Sequence, residues 1–452
     1  MDWRGMKVTV IGAGESGLGA AGLLLSRGAQ VTVADASPRL AQEREAALEE
    51  LRRQGACLHL GGYPAELGDL VVLSPGVPLT VPPVVEARRR GIPVWGELEL
   101  AWRCARAPVV AITGTNGKTT TTALVGAICR AAGIRTGVAG NIGTALSAVV
   151  DRYGPDDLLV VEVSSFQLET AETFRPRVAV ILNVTPDHLD RHGTMEAYVA
   201  AKARIFARQG AGDFTVLNAD DPVTPALAAR TPGRVLYFSR RRLVAPGTRV
   251  ENGFITGTLD GRVFDYGPVA DLALPGVHNL ENCLAAAAAA LALGLDAGVV
   301  RRVLQTFPGV PHRLEPVATI DGVRYVNDSK GTNPGATIRA LEAFDAPIVL
   351  IAGGKNKGAD FTELARKIRE RVRALVVLGE SAPLLAAAAR EAGCEVILEA
   401  ASLPEAVHLA RAAARSGDVV LLSPACASWD MFRNYEERGD LFRQVVLGLG
   451  RG

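Results

Sequence analysis

The stretch that most constrains this chain is Ala111-Ile112-Thr113-Gly114-Thr115-Asn116-Gly117-Lys118-Thr119-Thr120, entered from Val109-Val110 and left through Thr121-Thr122-Ala123-Leu124-Val125. An apolar strand runs into a glycine-punctuated turn, then Lys-Thr, then a helix-forming run. Glycines let backbone N–H groups face an anion, the helix N-terminus adds its positive dipole end, and Lys118 adds a point charge. Thr119 can set a hydroxyl on magnesium. The spacing is shorter than G-x-x-x-x-G-K-[ST], so the general phosphate-loop pattern does not match as written. A bare glycine turn ahead of a helix is the competing reading. Strand, glycines, Lys and Thr in this order favour a nucleotide triphosphate.

Length and composition bound the rest. At 452 residues the chain exceeds one core, and about three domains are expected. A hydrophobic share of 48% argues against disorder, and a net charge of +1 argues against general nucleic-acid binding. Six cysteines without C-x-x-C spacing suggest neither a zinc site nor a disulfide framework. Met1-Asp2-Trp3-Arg4-Gly5 lacks a signal peptide's pattern, and the longest apolar run, Cys283 to Leu295, is too short to span a bilayer. A cytoplasmic protein without membrane insertion is expected. Only seven of the 49 basic residues are lysine, so a retained lysine can mark a position where guanidinium fails.

Taken in order, Lys7–Ile11 reads as a buried strand followed by Gly12-Ala13-Gly14-Glu15-Ser16-Gly17, a helix, and a second strand ending at Asp35. That is a Rossmann-type opening for a phosphorylated, ribose-containing ligand, with NAD the default reading. Leu70–Leu73 leads into Ser74-Pro75-Gly76, which is either a ligand loop or a plain βα turn. The first domain is placed at 1–96, a central domain at 97–309 and a third at 310–452. The central domain carries Gly140-Asn141-Ile142-Gly143, a strand delivering Glu162-Val163-Ser164-Ser165-Phe166-Gln167-Leu168-Glu169, and another delivering Asn183 through Asp190. A carboxylate ending a strand beside a phosphate loop suits magnesium. His188 reads as ending a strand between acidic residues, which favours function over structure. Asn279 and Asn282 share a helical face and could contact a base, whereas Glu281 reads as surface. Arg240 to Gly267 looks like edge hairpins. Strand–helix alternation in the third domain predicts a second parallel α/β sheet. Its strand-end loops are Asn327-Asp328-Ser329-Lys330, Gly353 to Gly358, and Ser423-Pro424-Ala425-Cys426-Ala427-Ser428. The fold class is therefore α/β in three domains: Rossmann-like, a mostly parallel phosphate-loop sheet, and Rossmann-like again.

With Gly114 to Thr120, Gly140 to Gly143, Glu162, Asn183 to Asp190, Lys202-Ala203-Arg204 and His312-Arg313 in view, the chain resembles the Mur ligase family. These are ATP-dependent amide-bond-forming enzymes of bacterial cell-wall synthesis. The loops Asn327 to Asn333, Glu162 to Glu169 and Ser423 to Asp430 resemble members that add D-glutamate to UDP-N-acetylmuramoyl-L-alanine. On that resemblance Gly14, Glu15, Ser16, Asp35, Ser74 and Gly76 serve the UDP-substrate, with Asn141 near the reacting centre. Gly114, Thr115, Asn116, Gly117, Lys118, Thr119 and Thr120 grip ATP, helped by Asn279, Asn282, Arg313 and Asp328. Thr119 and Glu162 hold one Mg²⁺. His188 and Lys202 serve a second, Lys202 as an N-carbamate formed with CO₂, because an ammonium repels the metal. Lys330, Thr332, Lys357, Ser428 and the Tyr435 backbone bind the glutamate carboxylates. A monomer is expected. Glu15 places a negative charge beside a diphosphate, so its side chain must point away or pair.

Three rivals remain. Folylpolyglutamate synthase shares the second and third domains but not the first. An NAD oxidoreductase would leave Lys118 and Glu162 unexplained. A non-catalytic nucleotide-binding module would not need Glu162, His188 and Lys202 together.

Overall fold

The computed structural model describes residues 2–37, 44–141, 143–356 and 358–450, with the Asp190 side chain left aside. Two compact units divide the chain. One takes Met1–Leu272 and Asn279–Phe307, the other Ala273–His278 and Pro308–Gly452.

The first unit holds two sheets. Five parallel strands run in the spatial order Cys57–Leu60, Gln30–Asp35, Lys7–Ile11, Leu70–Leu73, Val94–Gly96. The chain order reverses between Lys7–Ile11 and Leu70–Leu73, which is where open α/β sheets leave a ligand crevice. The loop after Lys7–Ile11 enters helix Glu15–Ser26. A Cβ on Gly17 would stand 1.8 Å from the Gly12 carbonyl oxygen, so only glycine lets the helix sit this close to the strand.

The second sheet has nine strands, ordered Arg262–Pro268, Phe254–Leu259, Gly247–Glu251, Arg234–Ser239, Phe214–Asn218, Val178–Ile181, Val109–Thr113, Leu158–Glu162, Thr136–Gly140. Val109–Thr113 and Leu158–Glu162 are buried at every residue. That is why they read as unbroken apolar runs rather than alternating ones. The three edge strands from 247 to 268 pair antiparallel with one another as a hairpin ribbon. One hydrophobic core links the two sheets, running from Val10 and Val33 through Leu98 and Leu100 to Val109 and Leu159. The alanine-rich helix Val277–Ala292 is fully covered from Cys283 onward. Among the described residues, no helix is long and apolar enough to cross a membrane.

The second unit has six strands: Glu315–Ile320, Val323–Asn327, Val419–Leu422, Ile348–Gly353, Val372–Leu378, Ile397–Ala400. All neighbours are parallel except the first pair, which is an antiparallel hairpin. The sheet expected to be parallel therefore carries one strand more, Glu315–Ile320, at its edge. Its half-exposed residues and Pro316 weaken the strand pattern, while Asp321 and Gly322, both at positive φ, supply the hairpin turn.

Candidate functional site

The phosphate-loop sequence forms the turn and helix it predicts. Helix Lys118–Ala131 starts at Gly117, whose φ of 84° is left-handed. A Cβ there would lie 2.3 Å from the Asn282 Oδ1, so glycine is required twice over. Thr115 and Asn116, both half-buried, also hold the loop. Thr115 N donates to Asn183 O at 3.0 Å, and its hydroxyl lies 3.2 Å from the Tyr198 hydroxyl. Asn116 and Asn183 exchange two bonds, Asn116 N to Asn183 Oδ1 at 2.8 Å and Asn183 Nδ2 to Asn116 O at 3.1 Å. Thr119 and Thr120 are buried at the helix start.

Two lysines converge on one carbonyl. Lys118 Nζ and Lys202 Nζ each donate to Gly114 O at 2.9 Å, and Lys118 also donates to Thr115 O. Lys202 is 1% exposed. Burial, followed by the charge of Lys118, pulls its amine well below the usual lysine range, only weakly opposed by Asp187. A buried lysine next to another cation is thus held toward its neutral, nucleophilic form.

Glu162 ends its strand as expected and is 2% exposed. Its Oε1 accepts from Asn141 Nδ2 at 3.1 Å. Oε2 is buried with no hydrogen-bond partner. A buried carboxylate oxygen left bare is costly unless a cation completes it, so the residues present fit magnesium. Among the described residues no three His, Cys, Asp or Glu gather into a metal cluster. Magnesium does not need one, since it usually takes one or two protein oxygens plus substrate phosphates and water.

His188 is placed differently from expectation. The strand ends at Ile181, and His188 sits at φ 53° just before the one-turn helix Leu189–His192, half exposed, with Nε2 3.6 Å from Asp187 Oδ2. Its ring packs edge-on against Phe166 at 4.8 Å. The more enclosed histidine is His192, which sequence reasoning passed over. Its Nε2 lies 3.0 Å from Ser165 Oγ and its Nδ1 3.4 Å from Glu169 Oε1, and burial lowers its pKa. Asn279 and Asn282 are buried and bonded to each other at 3.2 Å, with Thr121 Oγ1 donating to Asn282 Oδ1 at 3.2 Å. They brace the phosphate-loop helix. Glu281 is not plain surface, because Arg240 pairs with it at 2.7 Å.

In the first sheet, Gly14 starts the helix and Glu15, mostly exposed, pairs with Arg44 at 2.5 Å, which answers its charge. Ser16 follows on the first turn. Asp35 is spent on backbone: Oδ2 accepts from Ala13 N and Oδ1 from Ser37 N, both at 2.7 Å. Ser74 Oγ donates to Gly12 O at 3.0 Å, drawing the loop that carries exposed Gly76 against the first one.

In the second unit, three strand-end loops are stitched together. Lys355 and Ala427 exchange backbone bonds, and Ala425 N donates to Gly331 O at 2.8 Å. Asp328, 5% exposed, accepts from Ser423 Oγ at 2.7 Å and from Leu314 N at 3.3 Å. Burial pushes its carboxyl up to about 6, against the pull of Arg313, whose Nε is buried without a partner. Lys330 Nζ stands 5.1 Å from the Tyr435 ring, and Tyr435 O accepts from Ser329 Oγ at 2.8 Å. Thr332 is half-buried and Ser428 buried on these loops. Lys357 lies outside the described residues. Sequence reasoning missed Arg438, 2% exposed, whose guanidinium bonds Ser329 and the Cys426 carbonyl. The only signal was an arginine within an otherwise amphipathic terminal helix.

A phosphate loop beside a bare buried carboxylate and a depressed lysine, on this set of three α/β sheets, defines a nucleotide-triphosphate-dependent enzyme. The chain matches the models for the Mur ligase MurD-like N-terminal domain over residues 6–96, the Mur ligase middle domain over 112–290, and the Mur ligase glutamate ligase domain over 312–426. It is 59% identical over 454 residues, covering 100% of this chain and 99% of the relative, to a Pelotomaculum thermopropionicum protein named UDP-N-acetylmuramoylalanine–D-glutamate ligase. It is 45% identical, over the full length of both, to the Caldanaerobacter subterraneus protein of the same name. Among solved structures, the fold is similar to UDP-N-acetylmuramate-alanine ligase from Thermotoga maritima, with TM-score 0.61, 21% identity and 98% of this chain and 100% of that one covered. Mycobacterium tuberculosis folylpolyglutamate synthase follows at TM-score 0.57 and 20% identity, over 79% of this chain and 93% of that one. The chain belongs to the Mur ligase family.

Proposed function

We propose that this chain is the ATP-dependent ligase that joins D-glutamate to UDP-N-acetylmuramoyl-L-alanine, a step in making the peptidoglycan precursor, and that it works as a cytoplasmic monomer. Full-length similarity to proteins of that name supports the choice of substrates. The observation that carries the chemistry is the convergence of Lys118 and buried Lys202 on Gly114 O in the unit that also holds the bare Glu162 oxygen.

The alanyl carboxylate attacks the γ-phosphorus of ATP, an O–P bond forms, and ADP leaves. The acyl phosphate is attacked by the glutamate amine, and the tetrahedral intermediate expels phosphate to leave the amide. Lys118 and the N–H groups at the helix start hold the transferring phosphoryl group. Mg²⁺, when bound, supplies charge neutralisation on the phosphoryl oxygens. Thr119 and Glu162 are the residues to hold one ion, His188 and Lys202 the other. For that role the neutral Lys202 amine attacks CO₂, forming an N–C bond and releasing one proton, so a neutral group becomes an anion. Asn141 fixes the Glu162 carboxylate, as its 3.1 Å bond indicates. Gly14, Ser16, Ser74 and Gly76 take the UDP portion, and Asp35 shapes their loop through Ala13 N and Ser37 N. In the second unit Lys330, Thr332, Ser428, Lys357 and the Tyr435 N–H take the glutamate carboxylates. Arg313 and Asp328 position ATP.

The test is phosphate release from ATP and Mg²⁺ with UDP-N-acetylmuramoyl-L-alanine, adding amino acids one at a time. Release with D-glutamate alone is expected. Release with a different amino acid would overturn the acceptor assignment, and release with none would overturn the substrate assignment.

A further inference from the structure

The loop 74–77 of the first sheet and the segment 187–192 beside the phosphate loop are joined by one side chain. Arg191 Nη1 donates to Pro75 O at 3.1 Å, and Nη2 reaches Val77 O at 3.5 Å. On its other edge, Nε and Nη2 meet Glu169 Oε2 at 3.2 and 2.7 Å. The guanidinium lies 4.3 Å over the Phe166 ring, and both charged side chains are largely covered, 20% and 17% exposed. Phe166 also carries the ring of His188, at 4.8 Å.

We propose that Arg191 is a positioning residue that aims the Gly76 N–H at the UDP-substrate and ties that loop to the segment bearing His188. The proposal rests on the functional reading above. A trans peptide points its C=O and N–H in opposite directions. Holding Pro75 O on Arg191 therefore turns the Gly76 N–H away from the arginine, while Val77 O precedes Pro78, which has no N–H to aim. The turn bond from Val77 N to Ser74 O at 3.0 Å closes this loop but is compatible with either orientation of the central Pro75–Gly76 peptide. Glu169 and the Phe166 face fix the guanidinium plane, and a bidentate fork can grip carboxylate and carbonyls at once. A lysine's donors all share one nitrogen and lack that rigid fork, so it does not span the carboxylate on one edge and the carbonyls on the other in a fixed plane. His192, bonded to Ser165 and facing the second Glu169 oxygen, steadies the acid from behind.

The experiment is calorimetric titration of UDP-N-acetylmuramoyl-L-alanine and, separately, of ATP-Mg²⁺, into the wild-type chain and Arg191→Ala, with steady-state kinetics on the same samples. Loss of a directed bond to a charged group weakens binding about 10- to 100-fold. We expect that loss for the UDP-substrate in both Kd and KM, with the ATP Kd within about twofold of wild type. Guanidinium ion added at low concentration should restore part of it, which no loss of fold would allow. Arg191→Lys, should the alanine variant fail to fold, is expected to bind ATP normally and the UDP-substrate weakly. Wild-type affinity for the UDP-substrate in either variant, or equal losses for both ligands without guanidinium rescue, would overturn the proposal. A wild-type chain that binds no UDP-substrate would instead sink the functional reading on which it rests.

Discussion

Asp35 and Glu162 occupy the same kind of place. Each ends a parallel strand, Asp35 in the first sheet and Glu162 in the second, beside a glycine loop that opens a helix. Their surroundings set them apart. Both Asp35 oxygens are taken by backbone N–H groups of Ala13 and Ser37, so the acid is a structural tie for the loop. Glu162 has one oxygen held by Asn141 and the other bare and buried. The loop beside Asp35 has no lysine and carries Glu15, whereas the loop beside Glu162 has Lys118. One strand-end acid is therefore satisfied within the fold and the other is left for a ligand. Position in a Rossmann-like sheet says where an acid can act, and its hydrogen bonds decide whether it does.

Glu162→Gln should have the largest effect. It keeps the shape and the Asn141 contact but removes the charge that suits a cation, so kcat should fall by about 10²-fold or more, as expected for losing several kcal/mol of charge stabilisation. Titrating Mg²⁺ against activity checks it. A normal magnesium dependence in this variant would break the distinction between the two acids. Next is Lys202→Arg, which keeps a cation but cannot easily form the carbamate; activity should fall to a similar extent. In the wild type, activity should drop when CO₂ is stripped from the buffer and return when bicarbonate is added. Indifference to CO₂ would remove Lys202 from the metal site.

A third strand-end acid, Asp328, extends the comparison. It is buried with two donors and a nearby arginine, yet burial wins and its carboxyl rises from 3.8 to about 6. A folded-state value above the unfolded one means the native state binds the proton more tightly. This contribution to stability is therefore full below about pH 4 and is lost as pH rises through about 6. The span corresponds to roughly 3 kcal/mol. Asp328→Asn should flatten that part of the stability-against-pH curve, read by denaturant unfolding between pH 4 and pH 7. An unchanged curve would place the titration elsewhere.

The legible and illegible parts of the molecule divide along the same physical line. The phosphate loop was readable because its chemistry needs contiguous residues: strand, glycines, Lys118 and Thr119 must follow one another for backbone N–H groups and a helix end to meet. Glu162 was readable through type and placement, and Lys202 through the family resemblance. What could not be read is what a side chain touches. Nothing in the sequence places Ala13 N and Ser37 N on Asp35, or Thr121 and the missing Cβ of Gly117 beside Asn282. Arg191 and Arg438 were missed because their partners, Pro75 and Glu169 for one and Ser329 and Cys426 for the other, lie on other elements, 12 to 116 residues away in sequence. The edge strand Glu315–Ile320 was missed because a half-exposed edge with a proline carries little pattern.

The smallest expected effect belongs to the first sheet and tests the comparison from its quiet side. Asp35→Asn keeps an acceptor for one N–H but places an amide donor against the other, so the glycine loop loses about 1–2 kcal/mol. The cost should appear as a lower unfolding midpoint and a several-fold higher KM for the UDP-substrate, with the magnesium dependence unchanged. Ala13 and Ser37 ask only for an acceptor, so a loop built this way should tolerate loss of the charge better than loss of the acceptor. Asp35→Ala should consequently be worse than Asp35→Asn in both readouts. If the asparagine variant instead lost turnover as Glu162→Gln is expected to do, Asp35 would have to reach the ligand after all, and the two strand ends would be alike.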